Sequence, residues 1–345
     1  MNNTGGMNSA ERFARTIKRQ EVDRPARWLG IPDERALPGL FRHFGVSGVR
    51  ELRLKLGDDL FPVDLPYDSP YSKAIYNAFD FQGSGKASRE RTLTRPGYFA
   101  IEVKEEEVDR FDWPEPERYI DPAACERAVE AVPRDKALLG VLWSAHFQDT
   151  CAAFGMENAF IAMYDNPGGY EMVNNKILDF YLRANRVFYE NTRGRLDAVL
   201  IGNDMGSQLG LMLSAEAIRR FVMPGAKALI EQAHSYGVRV IYHSCGSIRD
   251  IIEDLIKAGA DAIHPIQALA AGMEPASLKR DFGDRVSFCG GVDAQNLLIH
   301  GSPDMIREKV AELRSIFPTG LVISPSHEAI LPDIPPVNIE YLFAN

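Results

Sequence analysis

Few features of this 345-residue sequence would place it in a membrane, outside the cell or on nucleic acid. It has only four cysteines, spaced too widely for a disulfide framework, so the expected location is a reducing cytoplasm. No apolar run approaches the roughly 20 residues that cross a bilayer. No segment is rich in lysine and arginine, and the net charge of −9 argues against nucleic acid as the main partner. Residues 1–9 are polar, lack a signal-peptide core and are expected to form a disordered leader.

Strand-like and helix-like segments alternate over most of the sequence. Short apolar segments near residues 27, 60, 140, 200, 241, 264, 289 and 323 predict eight strands, most of them separated by helices. Buried strands that alternate with helices indicate a parallel sheet, and eight such units favour a (β/α)8 barrel over a doubly wound sheet. We therefore predict a single α/β barrel domain over residues 10–345. Polar residues over 78–103, with Arg-Pro-Gly at 95–97, predict a β-hairpin insertion.

One stretch, residues 238–259, combines a predicted buried strand with residues that can bind a metal. His243 and Cys245 stand two positions apart where the strand should end, so their side chains can point to the same side and converge on one ion. Ser247 is predicted to cap the next helix, with Asp250 in a variant capping box. The stretch alone is equally compatible with a polar turn that carries a satisfied histidine and an inert thiol.

Polar residues follow five of the predicted strands, at the end of the barrel where such folds carry function. They are Asp204, Gln208, His243, Cys245, Gln267, Asp293 and His327. Any one of them could serve only a helix cap or a turn. Their joint placement predicts an active site, with Asp204 and Gln208 as catalytic residues and Gln267 and Asp293 as substrate-binding residues.

His243, Cys245 and His327 are the predicted metal ligands. Three nitrogen and sulfur ligands with an open fourth position are typical of catalytic zinc, and thiolate with imidazole selects zinc over magnesium or calcium. Asp204 or Glu328 could complete the shell.

The other histidines and cysteines receive mostly structural interpretations. His264 is a possible ligand that ranks below His327. Cys289 precedes two glycines and is assigned to the core. Helices or surface turns account for the remaining histidines, which are His43, His146, His234 and His300.

The blocks that carry these residues stand in a specific order. They read Asp-Met-Gly-Ser-Gln at 204–208, His-Ser-Cys-Gly at 243–246, Gly-Gly-Val-Asp at 290–293, Gly-Ser-Pro at 301–303, Ser-Pro-Ser-His at 324–327 and Pro-Pro-Val-Asn at 335–338. In these blocks the sequence resembles the uroporphyrinogen decarboxylase superfamily, which also contains cobalamin-dependent methyltransferases. The resemblance extends from about residue 23 to residue 339 and implies a (β/α)8 barrel.

The resemblance is weaker to true uroporphyrinogen decarboxylases. Those enzymes carry an Arg-Gln-Ala-Gly-Arg segment that binds substrate carboxylates, and residues 27–35 here lack it. They also use an aspartate in a Phe-Ser-Asp segment, for which this sequence offers only Asp64, out of register. A substrate with eight carboxylates needs a cationic pocket, whereas this chain is acidic.

The His-x-Cys pair resembles the methyltransferase branch, in which His, Cys and a third ligand, usually Cys, hold zinc. His327 occupies the third position here, and one thiolate fewer would leave the zinc more electrophilic. The resemblance thus implies a zinc-dependent methyltransferase that moves a methyl group between a methyl ether, alcohol or thiol and a corrinoid protein. The alternatives are a metal-free tetrapyrrole decarboxylase and a non-catalytic barrel that binds a small molecule or corrinoid protein. A homodimer is a further expectation.

Overall fold

A computed structural model describes residues 6–86 and 93–344 and contains an eight-stranded parallel sheet. Its strands β1 to β8 are Ala26–Arg27, Leu60–Asp64, Ala137–Trp143, Ala198–Gly202, Arg239–His243, Ala262–Ile266, Ser287–Val292 and Leu321–Pro325. Strands β2 to β8 pair in chain order, and β8 pairs with β1. A hydrogen bond of 3.1 Å from the Asp59 N–H to the Arg27 carbonyl joins the two remaining edges. The predicted (β/α)8 barrel and all eight strands are confirmed.

Helices surround the strands. In chain order, α1 to α15 are Ser9–Ile17, Leu37–Phe44, Val49–Leu56, Glu105–Arg110, Pro122–Glu130, His146–Phe154, Met156–Asp165, Pro167–Asn191, Ala215–Phe221, Met223–Ser235, Arg249–Ala258, Pro275–Phe282, Leu297–His300, Pro303–Ile316 and Pro336–Phe343. Two 3-10 helices cover Ile75–Asn77 and Pro116–Arg118, and Ile31–Pro32 pairs with Ala329–Ile330 outside the barrel. No helix among the described residues is long and apolar enough to span a membrane.

The barrel has an interior core that is closed at the N-terminal end of its strands. Side chains such as Trp28, Leu200 and Ile241 fill the interior, and Phe13 and Ile17 of α1 pack beneath them. The Ser287 hydroxyl, at the start of β7, donates to the carbonyls of Thr16 and Ile17 and fixes α1 across the strand ends. A second apolar layer lies between the strands and the outer helices. The opposite end of the barrel is the open one.

The structure departs from the sequence prediction in the 78–103 segment. Residues 87–92, the centre of the predicted hairpin, lie outside the described residues. On either side, residues 78–86 and 93–103 contain turns and bends and no strand. These flanks are held by stacked aromatic rings, including Phe79 on Phe81 and Phe99 on Trp113. Ring packing and not strand pairing therefore anchors this segment.

Two further boundaries differ. The sequence predicts one helix that Ser214 caps and that reaches Tyr236, whereas the structure has two helices, α9 and α10, because Pro224 has no N–H to continue the hydrogen-bond ladder. The predicted disordered leader lies outside the described residues as far as residue 5. Beyond it, the Met7 N–H bonds to the Asp23 carboxylate and α1 already begins at Ser9.

Candidate active site

Three strand ends at the open mouth place thiol, imidazole and carboxylate groups beside one another. His243 ends β5 and is buried, and the half-buried Cys245 follows it by two residues. The Cys245 Sγ lies 3.4 Å from the His243 Nε2. Asp204, two residues beyond β4, places its Oδ1 3.2 Å from the same nitrogen. The His-x-Cys pair thus converges as the alternation of side chains along a strand predicts.

The turn that carries Cys245, residues 244–247, is fixed by the loops on both sides of it. Gly202 at the end of β4 allows β5 to approach closely, since a Cβ on Gly202 would lie 2.0 Å from the His243 carbonyl oxygen. The Ser247 hydroxyl donates to the Ala271 carbonyl at 2.6 Å. The predicted Ser247 capping box is therefore wrong, because this hydroxyl is used by a neighbouring loop and α11 begins at Arg249 without a side-chain cap.

Cys245 is shared by two sets of potential metal ligands. One set joins it to Asp204 and His243, and the other joins it to His327 and Glu328. Within each set the ligand atoms all lie within 4.8 Å of one another. The three predicted ligands do not share one set, so the structure brings the thiol near both imidazoles without gathering all three.

His327 and Glu328 are held by the loop that follows β8. The Ala329 N–H donates to the His327 Nδ1 at 3.0 Å, and a ring nitrogen of His327 lies within 4.8 Å of the Cys245 Sγ. The Ile31 N–H donates to the Glu328 carbonyl at 2.6 Å, and the left-handed Gly30 leaves room for that carbonyl. The Glu328 Oε2 is buried without a hydrogen-bond partner.

His264 lies behind His243 in the strand layer. It sits in the middle of β6, paired in register with His243, and is fully buried. The Nδ1 atoms of the two rings are 2.8 Å apart, and the His264 Nε2 has no hydrogen-bond partner. A third set of potential ligand atoms joins these two histidines to Glu328.

Asp204 is an ionised carboxylate that organises the turn. Its Oδ1 accepts from the Cys245 N–H at 3.0 Å, and its Oδ2 accepts from the Gln148 amide at 3.1 Å. Burial raises the pKa of Asp204, but the hydrogen bond and charge of His243 and the Cys245 N–H lower it more, to well below its usual range. Gln148 also accepts from the Asp204 N–H, so the two side chains fix each other.

The other predicted site residues lie apart from this group. Gln208 is exposed, and its carbonyl accepts from the Ala271 N–H. Gln267 accepts from the Gly246 N–H at 2.8 Å and so supports the Cys245 turn. Asp293 accepts backbone N–H groups from residues 295–297 and caps the start of α13. Direct contact of these residues with a substrate stays a prediction.

A cavity of about 600 Å³ opens above the cluster and is rich in negative charge. Four carboxylates line it, those of Glu34, Asp64, Asp204 and Glu328. Among the described residues, 6–86 and 93–344, the lining contains one lysine, Lys73, which is largely exposed and paired with Asp68 outside the lining, and no arginine. These lining residues disfavour a polyanionic ligand.

Two parts of the site were missed by sequence reasoning. Trp143 ends β3 with a positive φ of 55° and stands edge-on to the His243 ring at 5.5 Å. A bulky residue in that conformation is uncommon and is concentrated at functional sites. The position of Trp143 at a strand end could have indicated that it belongs to the site. The second missed residue, Gln148, lies inside α6, and nothing in the sequence indicated its contact with Asp204. A second cavity of about 280 Å³, lined by apolar side chains such as Phe147 and Met212, also reaches Cys245.

Residues 98–345 match the family model described as uroporphyrinogen decarboxylase (URO-D). The chain belongs to the URO-D family. No curated protein matches it closely. Among solved structures, a methyltransferase from Methanosarcina mazei has a TM-score of 0.70 at 16% identity and covers 97% of both chains. A protein described as a vitamin-B12-independent methionine synthase from Listeria monocytogenes has a TM-score of 0.45 at 12% identity, with 93% and 94% covered.

The family model establishes the family, and the Methanosarcina mazei structure supports the barrel fold. Whether a metal fits this URO-D family member depends on its own residues. A thiol with imidazole and carboxylate groups is a donor set that suits zinc. Burial lowers the pKa of His243, but the charges of Cys245 and Glu328 raise it well above its usual value. The anions that favour a protonated imidazole would equally favour a metal cation. The unpartnered Glu328 oxygen adds a further acceptor, so the residues fit a metal.

Proposed function

We propose that the chain is a zinc-dependent methyltransferase that transfers a methyl group between a small substrate and a corrinoid protein. The observation that carries the proposal is the 3.4 Å approach of the Cys245 thiol to the His243 Nε2, beside the Asp204 carboxylate and below an open cavity. A methyl ether, an alcohol and a thiol are the substrate classes that such a donor set would serve.

The chain's residues would bind the metal and the substrate in adjoining spaces. Zinc supplies Lewis acidity when bound, which lowers the pKa of a thiol or polarises an ether or alcohol oxygen. Cys245 and His243 would hold it, with His327 and Asp204 as the candidates for the third ligand. Gln148 keeps Asp204 oriented, and the Trp143 ring forms a wall of the substrate cavity next to His243.

The corrinoid protein would approach the open mouth of the barrel. Support for a protein partner comes from two apolar side chains on the rim, Leu209 and Leu269, which are 89% and 54% exposed. Their loops are joined by the hydrogen bond from the Ala271 N–H to the Gln208 carbonyl. A homodimer and a cytoplasmic location stay predictions.

Uroporphyrinogen decarboxylation, the activity after which the family is named, is the weaker candidate. Its substrate carries eight carboxylates, and the part of the cavity lining that the structure describes presents four carboxylates and no arginine to it. Like charges brought together in a partly buried site repel strongly. Failure of the purified chain to release CO2 from uroporphyrinogen is the expected result.

Metal analysis tests the proposal most directly. Protein purified without chelators is expected to carry about one zinc ion per chain, and Cys245→Ser or His243→Ala to carry almost none. Cys125→Ser is the matched control, since that thiol is buried in α5 and belongs to none of the ligand sets. A wild-type protein that holds no zinc after supplementation would contradict the proposal.

A further inference from the structure

The hydrogen bond at the His327 Nδ1 restricts what this imidazole can do. A backbone N–H can only donate, so the bond of 3.0 Å from the Ala329 N–H requires a lone pair on Nδ1. A neutral imidazole whose Nδ1 accepts carries its proton on Nε2. The His327 Nε2 is then a hydrogen-bond donor and has no lone pair for a metal.

The group within reach of that donor is the Cys245 thiol. A ring nitrogen of His327 lies within 4.8 Å of the Cys245 Sγ, and Nε2 is the only ring nitrogen left to donate a hydrogen bond to it. Binding a metal through Nδ1 instead would break the Ala329 bond and release the loop after β8. The geometry is that of an imidazole which supports the thiolate from outside the metal shell, as N–H groups around metal-bound ligands commonly do.

Asp204 has the position that a third ligand needs. Tetrahedral zinc, with bonds of about 2.0–2.1 Å to nitrogen or oxygen and 2.3 Å to sulfur, sets neighbouring ligand atoms about 3.3–3.6 Å apart. The His243 Nε2 lies 3.2 Å from the Asp204 Oδ1 and 3.4 Å from the Cys245 Sγ. These three residues form one of the ligand sets.

Glu328 is less well placed for the same position. Its Oε2 lies 3.8 Å from the His243 Nδ1, on the ring edge that faces His264. The His243 Nε2, which faces Cys245 and Asp204, is on the other edge of the ring.

We infer that Asp204, His243 and Cys245 form the metal shell and that His327 donates a hydrogen bond to the Cys245 thiolate from outside it. The inference rests on the proposed function and replaces His327 by Asp204 as third ligand. The shell then holds one imidazole and two anionic donors. His327 is a positioning residue that draws charge from the thiolate.

X-ray absorption spectroscopy of the zinc-loaded wild-type protein tests the shell without any substitution. The expected result is one sulfur and one imidazole on the zinc. Two imidazoles would overturn the inference while leaving zinc binding, and so the proposed function, intact. A wild-type protein that binds neither zinc nor cobalt would overturn both.

Cobalt(II) titration of variants gives a second measurement. Asp204→Asn is expected to weaken cobalt binding at least about tenfold, whereas His327→Ala stays within about threefold of wild type. His327→Ala should also move the sulfur-to-cobalt charge-transfer band to longer wavelength, because the thiolate loses a hydrogen bond. Asp33→Asn changes a carboxylate that belongs to none of the ligand sets and does not line the cavity, so it is the control and should change neither quantity. Loss of cobalt binding in His327→Ala with Asp204→Asn unaffected would overturn the inference.

Discussion

The Nδ1 atoms of His243 and His264 lie 2.8 Å apart, so one proton is held between two imidazoles. If the His243 Nε2 gives its lone pair to the proposed metal, the His243 Nδ1 carries that proton and His264 accepts it. Burial and the charge of His243 hold the pKa of His264 well below its usual value, which keeps it a neutral acceptor.

His264→Phe is therefore expected to lower zinc affinity about 10- to 100-fold, as loss of a group that orients a metal ligand does. Phenylalanine fills the space but leaves the His243 Nδ1 proton without an acceptor. Competition with a chromophoric chelator measures the affinity. His146→Gln, a change at another fully buried histidine, should leave zinc affinity unaltered. Equal affinities for His264→Phe and wild type would show that the ring pair is only structural.

His146 predicts how stability depends on pH. Burial lowers its pKa from 6.5 to about 4, with a smaller opposing effect from the Asn174 hydrogen bond. Below pH 6.5 the unfolded chain takes up a proton that the folded chain refuses, so the stability present above pH 6.5 is lost as pH falls towards 4. The loss amounts to about 3 kcal/mol at most. Urea unfolding at several pH values should show it, and His146→Gln should flatten the slope between pH 6.5 and 4.

The acidic cavity predicts a charge preference among small thiols that bind the metal. On the cobalt-substituted protein, cysteamine should bind more tightly than 2-mercaptoethanol, and 3-mercaptopropionate more weakly. One charged group on the thiol, a few ångströms from a carboxylate of the cavity, changes the binding free energy by about 1 kcal/mol, or the affinity by roughly fivefold. Burial raises the pKa of Asp64, so pH 8 is suitable for keeping it ionised.

Asp64→Asn should narrow that preference. The Asp64 side chain lines the cavity and has no hydrogen bond or ion pair with any residue in 6–86 or 93–344, so its charge is free to act on a ligand. Asp33→Asn changes a carboxylate that does not line the cavity and is the control. Equal affinities of the wild-type protein for the anionic and the cationic thiol would refute the prediction.

A buried ion cluster at the N-terminal end of the barrel strands is expected to contribute strongly to the stability of the fold. Asp59 is fully buried and bonds Arg12 at 2.7 Å, Arg24 at 2.6 Å and the Arg27 N–H at 2.9 Å. Asp59→Ala leaves buried charges without a partner and is expected to lower the free energy of unfolding by about 3–5 kcal/mol. Breaking the surface pair of Asp33 and Arg35 by Asp33→Ala should barely move the urea midpoint.

The barrel was predictable because its signals are local. Each strand is a short apolar run, and features such as Ser302 before Pro303 or the left-handed Gly259 mark helix ends within a few residues. The order of eight strands then follows from the alternation with helices.

The roles of single polar residues were less predictable, because they depend on contacts distant in sequence. The Ser247 hydroxyl bonds 24 residues ahead instead of capping its own helix. Asp293 caps α13, although its position after a strand resembles that of Asp204. The tautomer of His327 depends on the Ala329 N–H, which adopts its position only in the folded loop.

Helix α1 closes one end of the barrel with Phe13 and Ile17, so the two cavities that reach the cluster around Cys245 both lie at the opposite end. A reaction that moves a methyl group between two molecules must therefore admit both through the same mouth. The one that arrives first stands in the path of the second. Excess of either reactant is expected to slow turnover by blocking the other, which makes the order of binding a property of the barrel's shape.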